Sequence, residues 1–485
     1  MNNKKNIILL MTDQHRMDYV SFAGSKKIST PNIDRIAESV GFTCCQTVNP
    51  ICTPARTALA TGKYTHQIGT LAMSGDLSRQ FPTYMQALQK AGYHTSGIGK
   101  FHYLQTWEWN TKRGRGVNLT GIREDMKKYG FDYIWETSGK QLSRQNYCDY
   151  CEYMDKKGLL DKMRDFVDMA GIHNSDYPDD EGEGEALPWP FAEEDYVDIL
   201  TADKIIESIG NRPETRPFFI FGSFCSPHKP FDPPKRYLDM IPYEEEDDFI
   251  PGPKALTDPQ KKKIYRRRRA YKAMIKLVDH QVGRIFDRLE KDRLLEDTVV
   301  IFTSDHGEML GDHFRVQKSI YWKEAVTVPT AIRHPDYTDR RLINTPVEIT
   351  DLAATILDIA GLDPSQSLSK EWPAFNDIVP SRSLMPIVRG ETGKIRDFAF
   401  SECDGKWQML RTEKWKYVRH LKYTSPQDLK EEFYDLETGP DEMVNLIAHP
   451  AYAEAIDWCR KRREFVTDTT PPAQTSWAPL MGSEK

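Results

Sequence analysis

Long apolar stretches are missing from this sequence. No run approaches the roughly 20 residues that a membrane-spanning helix needs, so no membrane association is expected. Positive charge is not in surplus either. The chain carries 66 Lys and Arg against 72 Asp and Glu, a net charge of -6, whereas general nucleic-acid binding calls for a basic excess. There is no internal repeat. Eight cysteines (Cys44, Cys45, Cys52, Cys148, Cys151, Cys225, Cys403 and Cys459) are scattered over 485 residues, which is no disulfide framework. Cys148 and Cys151 form a lone C-x-x-C, with no second pair at zinc spacing and no strand-to-helix setting, and read as structural, with a metal or redox role as the alternative. The opening MNNKKNIILLMTDQH lacks the length and the small-residue cleavage site of a signal peptide and reads as a buried first strand. The chain as given is therefore expected in the cytoplasm, or in the periplasm or outside the cell if an export signal was replaced by Met1.

What is present is an alternation. NIILLMTD (6–13), YHTSGIGKFH (93–102), PFFIFGSFCSPHKPF (217–231) and DTVVIFTSDHGEMLGDH (297–313) are apolar runs that each end in acidic, basic or imidazole side chains. Such runs suit strands buried on both faces of a parallel sheet. Between them lie helical patterns at 30–40, where Thr30 is a cap candidate before Pro31, at 81–93, with a glycine stop, and at 271–291. The expected fold is α/β: a large, mostly parallel sheet flanked by helices, its site beyond the carboxyl ends of the strands. After about residue 375 the texture changes to short strands and turns, as in 406–421 and 431–446. This predicts a catalytic domain over 1–375 and a smaller antiparallel α+β subdomain over 376–485. The acidic stretch 177–190 reads as a surface loop, and the basic run KKKIYRRRRAYK (261–272) as a solvated helix face, with an attraction for anionic polymers as the alternative.

Within NPICTPARTALATGKYT (49–65), Cys52 stands two residues before Pro54 and four before Arg56. A buried free cysteine needs no such neighbours, and a nucleophilic thiolate would want a histidine or a helix N-terminus. The stretch resembles the C-x-P-x-R signature of the type I, formylglycine-dependent sulfatases of the alkaline-phosphatase-like superfamily. Six further segments resemble that family's landmarks in order: NIILLMTDQHR, GIGKFHY, SPHKPF, TSDHGEMLGDH with QKSIYWKEAVTVP, NTPVEITDLAATILDIAGL and EFYDLETGPDEMVNL. Together they span nearly the whole chain.

The resemblance implies that a maturation enzyme, reading Pro54 and Arg56, oxidises Cys52 to formylglycine, whose hydrate supplies the attacking oxygen. Arg56 then steadies the modified side chain. Asp13, Gln14, Asp305, His306 and the modified Cys52 would hold a divalent cation, calcium first and magnesium second, because the donors are mostly oxygen. Gln14 stands where the family more often has aspartate. Lys100 and Lys318 would grip the sulfate oxygens. His102 would hold or deprotonate the hydrate, and His228 would protonate the leaving oxygen or bind sulfate. Each of these residues alone has a plainer reading as a cap, a solvated lysine or a turn histidine. His15 and His313 receive no role.

The expected function is hydrolysis of a sulfate monoester, of a glycosaminoglycan or other sulfated glycan fragment. The alternatives are a phosphonate or phosphate monoester hydrolase of the same superfamily, a choline or aryl sulfatase, and a non-catalytic binder of sulfated glycans. Lys100 and Lys318 together favour sulfate over phosphonate. HYLQTWEWN (102–110) is a candidate surface for stacking on a sugar ring, with core or lid packing as the plainer reading.

Overall fold

The first strand becomes the middle of the molecule. In the computed structural model, β1 (Asn6–Asp13) lies between and parallel to β5 (Phe218–Pro227) and β6 (Thr298–Ser304). The remaining strands of this sheet are β2 (Val40–Gln46), β3 (His94–Gly99), β4 (Tyr133–Glu136), β7 (Thr327–Arg333), β8 (Arg341–Ile343) and β9 (Val347–Glu348). Their spatial order is β4-β3-β5-β1-β6-β7-β2-β8, with β9 paired to β2. All pairings are parallel except those of β7, which runs antiparallel to both neighbours. The structure describes residues 4–104, 112–173, 187–245, 248–252, 254–369, 378–422 and 429–470. The aromatic stretch beyond residue 104, the acidic residues 177–186 and the expected domain junction at 375 lie outside the described residues.

Alternate residues of the central strands feed two cores. Ile8, Leu10, Ile220 and Phe302 pack on one face against α5 (Val197–Gly210) and α6 (Asp258–Lys291). Ile7, Leu9, Phe219 and Ile301 pack on the other against Leu59 of α2 (Cys52–Thr61) and Leu88 of α3 (Tyr84–Lys90). Burial on both faces explains why these strands carry no polar alternation. The remaining helices used below are α1 (Pro31–Ile36), α4 (Asp149–Lys156) and α7 (Ala453–Thr469). A second sheet, β10 (Ala399–Cys403), β11 (Trp407–Arg411), β12 (Trp415–His420) and β13 (Glu431–Asp435), is an antiparallel meander. It joins the first through Phe400 N to Glu348 Oε1 at 2.8 Å and Glu402 N to Val48 O at 3.0 Å. No described helix is long and apolar enough to cross a membrane.

Three local expectations are corrected. Thr30 does not cap α1. Its hydroxyl turns to Asp34 and Ser21, and Asp279 of α6 accepts from the Asn32 and Ile33 amides, each at 2.9 Å. Thr83, by contrast, does cap α3, accepting from Gln86 N at 3.2 Å. Second, Cys148 directly precedes α4, so the C-x-x-C does open a helix. Third, the basic run lies in α6 but is no solvated face: Lys263, Arg267, Arg268 and Lys272 are buried. Arg268 reaches Asp312 at 3.2 Å, contacts Asp248 and stacks 4.2 Å from the Phe249 ring. Carboxylates remote in the sequence meet Arg268 inside the fold.

Arg268→Ala should therefore cost about 2 kcal/mol in urea denaturation, because it takes one of two guanidinium partners from the buried Asp312, leaving Arg16, and removes the stacking on Phe249. A loss below about 0.5 kcal/mol, the scale of an ordinary surface substitution, would restore the solvated reading.

Candidate active site

Polar residues collect where the central strands end. Asp13 closes β1 and Gln14 follows it; Lys100 and His102 follow β3; His228 follows β5; Asp305 and His306 follow β6. Since β3, β5, β1 and β6 are neighbours in that order, these ends form one row. Cys52, the first residue of α2, is set against this row. All ten residues of α2 are buried, and its first turn carries amide groups without intrahelical partners, which favours negative charge there.

Around Cys52 the charges are dense. Its Sγ lies 2.9 Å from Lys318 Nζ, 3.2 Å from His306 Nε2, and 3.8 Å from both Lys100 Nζ and Asp13 Oδ1. Lys100 Nζ contacts Asp13 Oδ2 directly. Arg56, one turn along α2, donates Nε to Asp305 Oδ2 at 2.9 Å and stands 3.5 Å from Asp13. Its Nη1 donates to Lys100 O at 2.5 Å and Ser223 Oγ at 2.8 Å. The Gln14 and His306 amides donate to Asp305 Oδ1 at 3.0 and 2.9 Å. Gln14 Oε1 accepts from Lys318 Nζ at 2.9 Å, while its Nε2 donates to Glu308. Gln14 holds φ at 67°, a region rare for residues other than glycine, and these bonds fix it there.

The electrostatics follow from burial against charge. Burial would raise the Asp13 pKa, but Lys100, His228, Arg56 and Lys318 hold it well below the usual carboxylate range. Burial and Asp13 likewise oppose ionisation of Cys52, yet Lys100, Lys318 and His306 pull the thiol well down. Burial and Lys100 push His102 well below its ordinary value. Its Nε2 faces Ser138 O at 3.1 Å, so the proton is assigned to Nε2. Nδ1, buried and without a hydrogen-bond partner among the described residues, is left with its lone pair. Burial and Lys318 lower His228, whose Nδ1 lies 2.6 Å from Lys229 O.

All ten expected residues come together. Cys52, Lys100, His102, His228 and Lys318 line one cavity of about 210 Å³. Asp13, Cys52, Asp305 and His306 each place a ligand atom within 4.8 Å of the others. With the Gln14 amide oxygen beside them, this is an oxygen-rich donor set that fits one hard divalent cation. His15 is turned to Thr12 and Tyr19 O, and His313 stacks on Trp322 at 4.1 Å. Sequence reasoning missed Glu308, which fixes Gln14 and the Gln317 amide; its only signal was a carboxylate three residues after Asp305. It also missed Lys140 and Lys229 in the cavity wall; Lys140 is bound to Asp232 and Pro230 O, both at 2.7 Å.

Comparisons with known proteins find similarity over nearly the whole chain. A family model described as Sulfatase matches residues 5–362, and one described as N-sulphoglucosamine sulphohydrolase, C-terminal, matches 311–466. An arylsulfatase of Clostridium perfringens is 28% identical, covering 94% of this chain and 93% of its own. An N-acetylglucosamine-6-O-sulfatase of Bacteroides thetaiotaomicron is 26% identical, covering 93% and 84%. Two solved structures share the fold: a protein in complex with its substrate D-glucosamine-2-N,6-O-disulfate (TM-score 0.68, 21% identity, 96% of this chain and 98% of that one) and a phosphonate monoester hydrolase of Agrobacterium radiobacter (TM-score 0.74, 22% identity, 96% of each).

Calcium titrated into chelator-treated protein should bind at one site and raise Tm. Asp305→Ala should weaken that binding by about two orders of magnitude or more, the range over which ligand charge tunes calcium affinity. Equal calorimetric affinity in the variant would remove Asp305 from the cation site.

Proposed function

The chain belongs to the sulfatase family, enzymes that hydrolyse sulfate esters, and from that membership we propose that it acts on the sulfate monoester of a carbohydrate through a formylglycine made from Cys52. One observation carries the reading. Position 52 opens a buried helix, with Lys318 at 2.9 Å, Lys100 at 3.8 Å and a cation-competent cluster around it. An anionic ester repels nucleophiles, and this is the arrangement that reverses the repulsion. The carbohydrate assignment is supported by the sugar sulfatase among the relatives and by the sulfated glucosamine held by the fold neighbour. We further propose that residues 1–375 form the catalytic domain and 376–485 the C-terminal one.

In this reading a maturation enzyme converts Cys52 to the aldehyde, and its hydrate supplies the oxygen that attacks sulfur in line. Asp13, Gln14, Asp305 and His306 would hold a divalent cation, calcium or magnesium, which would add positive charge at the sulfate oxygens. Arg56 holds Asp305 in place and backs the modified side chain. Lys100 and Lys318 take the non-bridging sulfate oxygens and stabilise the charge that grows in the transition state. His102, whose buried Nδ1 has no hydrogen-bond partner among the described residues, accepts the proton of the hydrate. His228, whose lowered pKa makes its protonated form a ready donor, hands a proton to the departing alcohol oxygen or holds the sulfate.

The fold likeness to a phosphonate monoester hydrolase keeps that chemistry as the second reading. Enzyme produced together with a maturation enzyme should turn over aryl sulfate and sulfated mono- or disaccharides with larger kcat/KM than aryl phosphonate or choline sulfate. Its Cys52 tryptic peptide should be about 18 Da lighter than the thiol form, and Cys52→Ala should lose about four orders of magnitude in kcat. A phosphonate preference would install the second reading. An unmodified thiol with no turnover on any ester would instead favour a sulfated-glycan binder.

A further inference from the structure

Behind the wall of this cavity sits a pair of sulfurs that the proposed chemistry does not use. Cys148 Sγ and Cys151 Sγ lie 3.4 Å apart, both fully buried. Cys148 is the residue before α4, with φ −134° and ψ 177°, and Cys151 is in its first turn. Loop atoms surround the pair: Ser138 Oγ and Ser143 Oγ at 3.8 and 3.9 Å from Cys148, Ser143 O and Asn146 O at 3.7 and 3.6 Å from Cys151. The same loop is the site wall. Ser138, Gly139, Lys140, Gln141 and Leu142 line the cavity with Cys52, and Ser138 O holds His102 Nε2.

We propose that Cys148 and Cys151 are a redox-active dithiol that a peroxide closes to an intrachain disulfide, and that this closure shifts the 138–142 wall and lowers turnover reversibly. Three positions apart across a helix start, the thiols are near enough to bond after a contraction of roughly 1.4 Å between the sulfurs, which draws on the loop atoms packed around them. The helix N-terminus favours the thiolate form of Cys148. Its environment agrees. Burial opposes ionisation, but hydrogen bonds from Cys151 and Ser138 bring the Cys148 thiol down to about 6. At Cys403 and Cys459, by contrast, burial drives the thiol up to about 12.

The chemistry balances with hydrogen peroxide as the oxidant. Cys148 gives up its proton, and the thiolate sulfur attacks one peroxide oxygen. The O–O bond breaks, leaving a sulfenic acid and a hydroxide that takes up that proton as water. Cys151 sulfur then attacks Cys148 Sγ; the S–S bond forms, the S–O bond breaks, and a second water leaves with the Cys151 proton. Two electrons pass from the sulfurs to the peroxide. A thiol reductant reverses the bond by exchange.

The test uses the full chain in its mature form, treated with a modest excess of hydrogen peroxide, quenched, denatured and alkylated. The tryptic peptide Gln145–Lys156 contains both cysteines. It should appear about 2 Da lighter than the reduced peptide and resist alkylation until dithiothreitol is added. Over the same titration kcat should fall about tenfold or more, the scale of a small misplacement of a catalytic wall, and return with dithiothreitol. Cys151→Ser should keep its kcat through the same cycle of oxidation and reduction. Alkylation of both thiols after treatment, or oxidation beyond the disulfide, would overturn the proposal, as would a closed disulfide with unchanged kcat. The effect on turnover rests on the site reading above. The mass shift does not, so failure of the sulfatase chemistry and failure of the dithiol are told apart.

Discussion

Two buried carboxylates locked onto two buried cations hold this molecule's working end together. Asp13 and Asp305 have no solvent exposure, and a carboxylate in that position costs several kcal/mol unless opposite charge meets it. Lys100 meets Asp13, and the Arg56 guanidinium spans Asp305 and Asp13 with a fork that a lysine lacks. The four residues come from β1, the end of β6, the end of β3 and helix α2. Their pairing therefore fixes the helix start, and with it Cys52, against the strand ends. A divalent cation joining this set would tip the balance strongly positive, which an anionic ester requires.

Lys318 reaches the same point from a different direction. Its neighbours Gln317 and Ser319 both hold φ at 71°, so the loop is not at rest by itself. The second sheet restrains it. Trp407 Nε1 donates to Ser319 O at 3.3 Å, Lys416 Nζ to Tyr321 O at 2.9 Å, and Tyr321 hydroxyl to Glu432 at 2.6 Å. On the other side Ser319 N donates to Pro50 O, two residues before Cys52. The C-terminal meander thus positions a cation at the site without lending it a side chain. The 138–142 wall, held by His102 on one face and the Cys148–Cys151 pair on the other, completes the enclosure.

Much of this was legible in the sequence because the signals were local. Apolar runs ending in Asp13, Lys100, His228 and Asp305 state both the strand and its functional end. The Cys52-to-Arg56 spacing places both side chains on one face of a helix. What was not legible depends on partners far away along the chain. Nothing in 261–272 shows that Asp312 and Asp248 will bury Arg268, nor that Asp279 will displace Thr30 as a cap. β7 runs antiparallel to both its neighbours, and an apolar run reads the same in either direction. Glu308 was invisible for the same reason: its meaning lies in Gln14, nearly three hundred residues earlier.

The central claim is that gathered cations let an anionic ester be attacked at position 52. Steady-state kinetics of Lys318→Ala on a sulfated substrate test it most directly, because this lysine touches Cys52 and donates to Gln14 beside it. The account predicts a fall in kcat/KM of about 100-fold or more with the fold retained, the scale of losing one transition-state donor. A correctly folded variant with undiminished kcat/KM would contradict it.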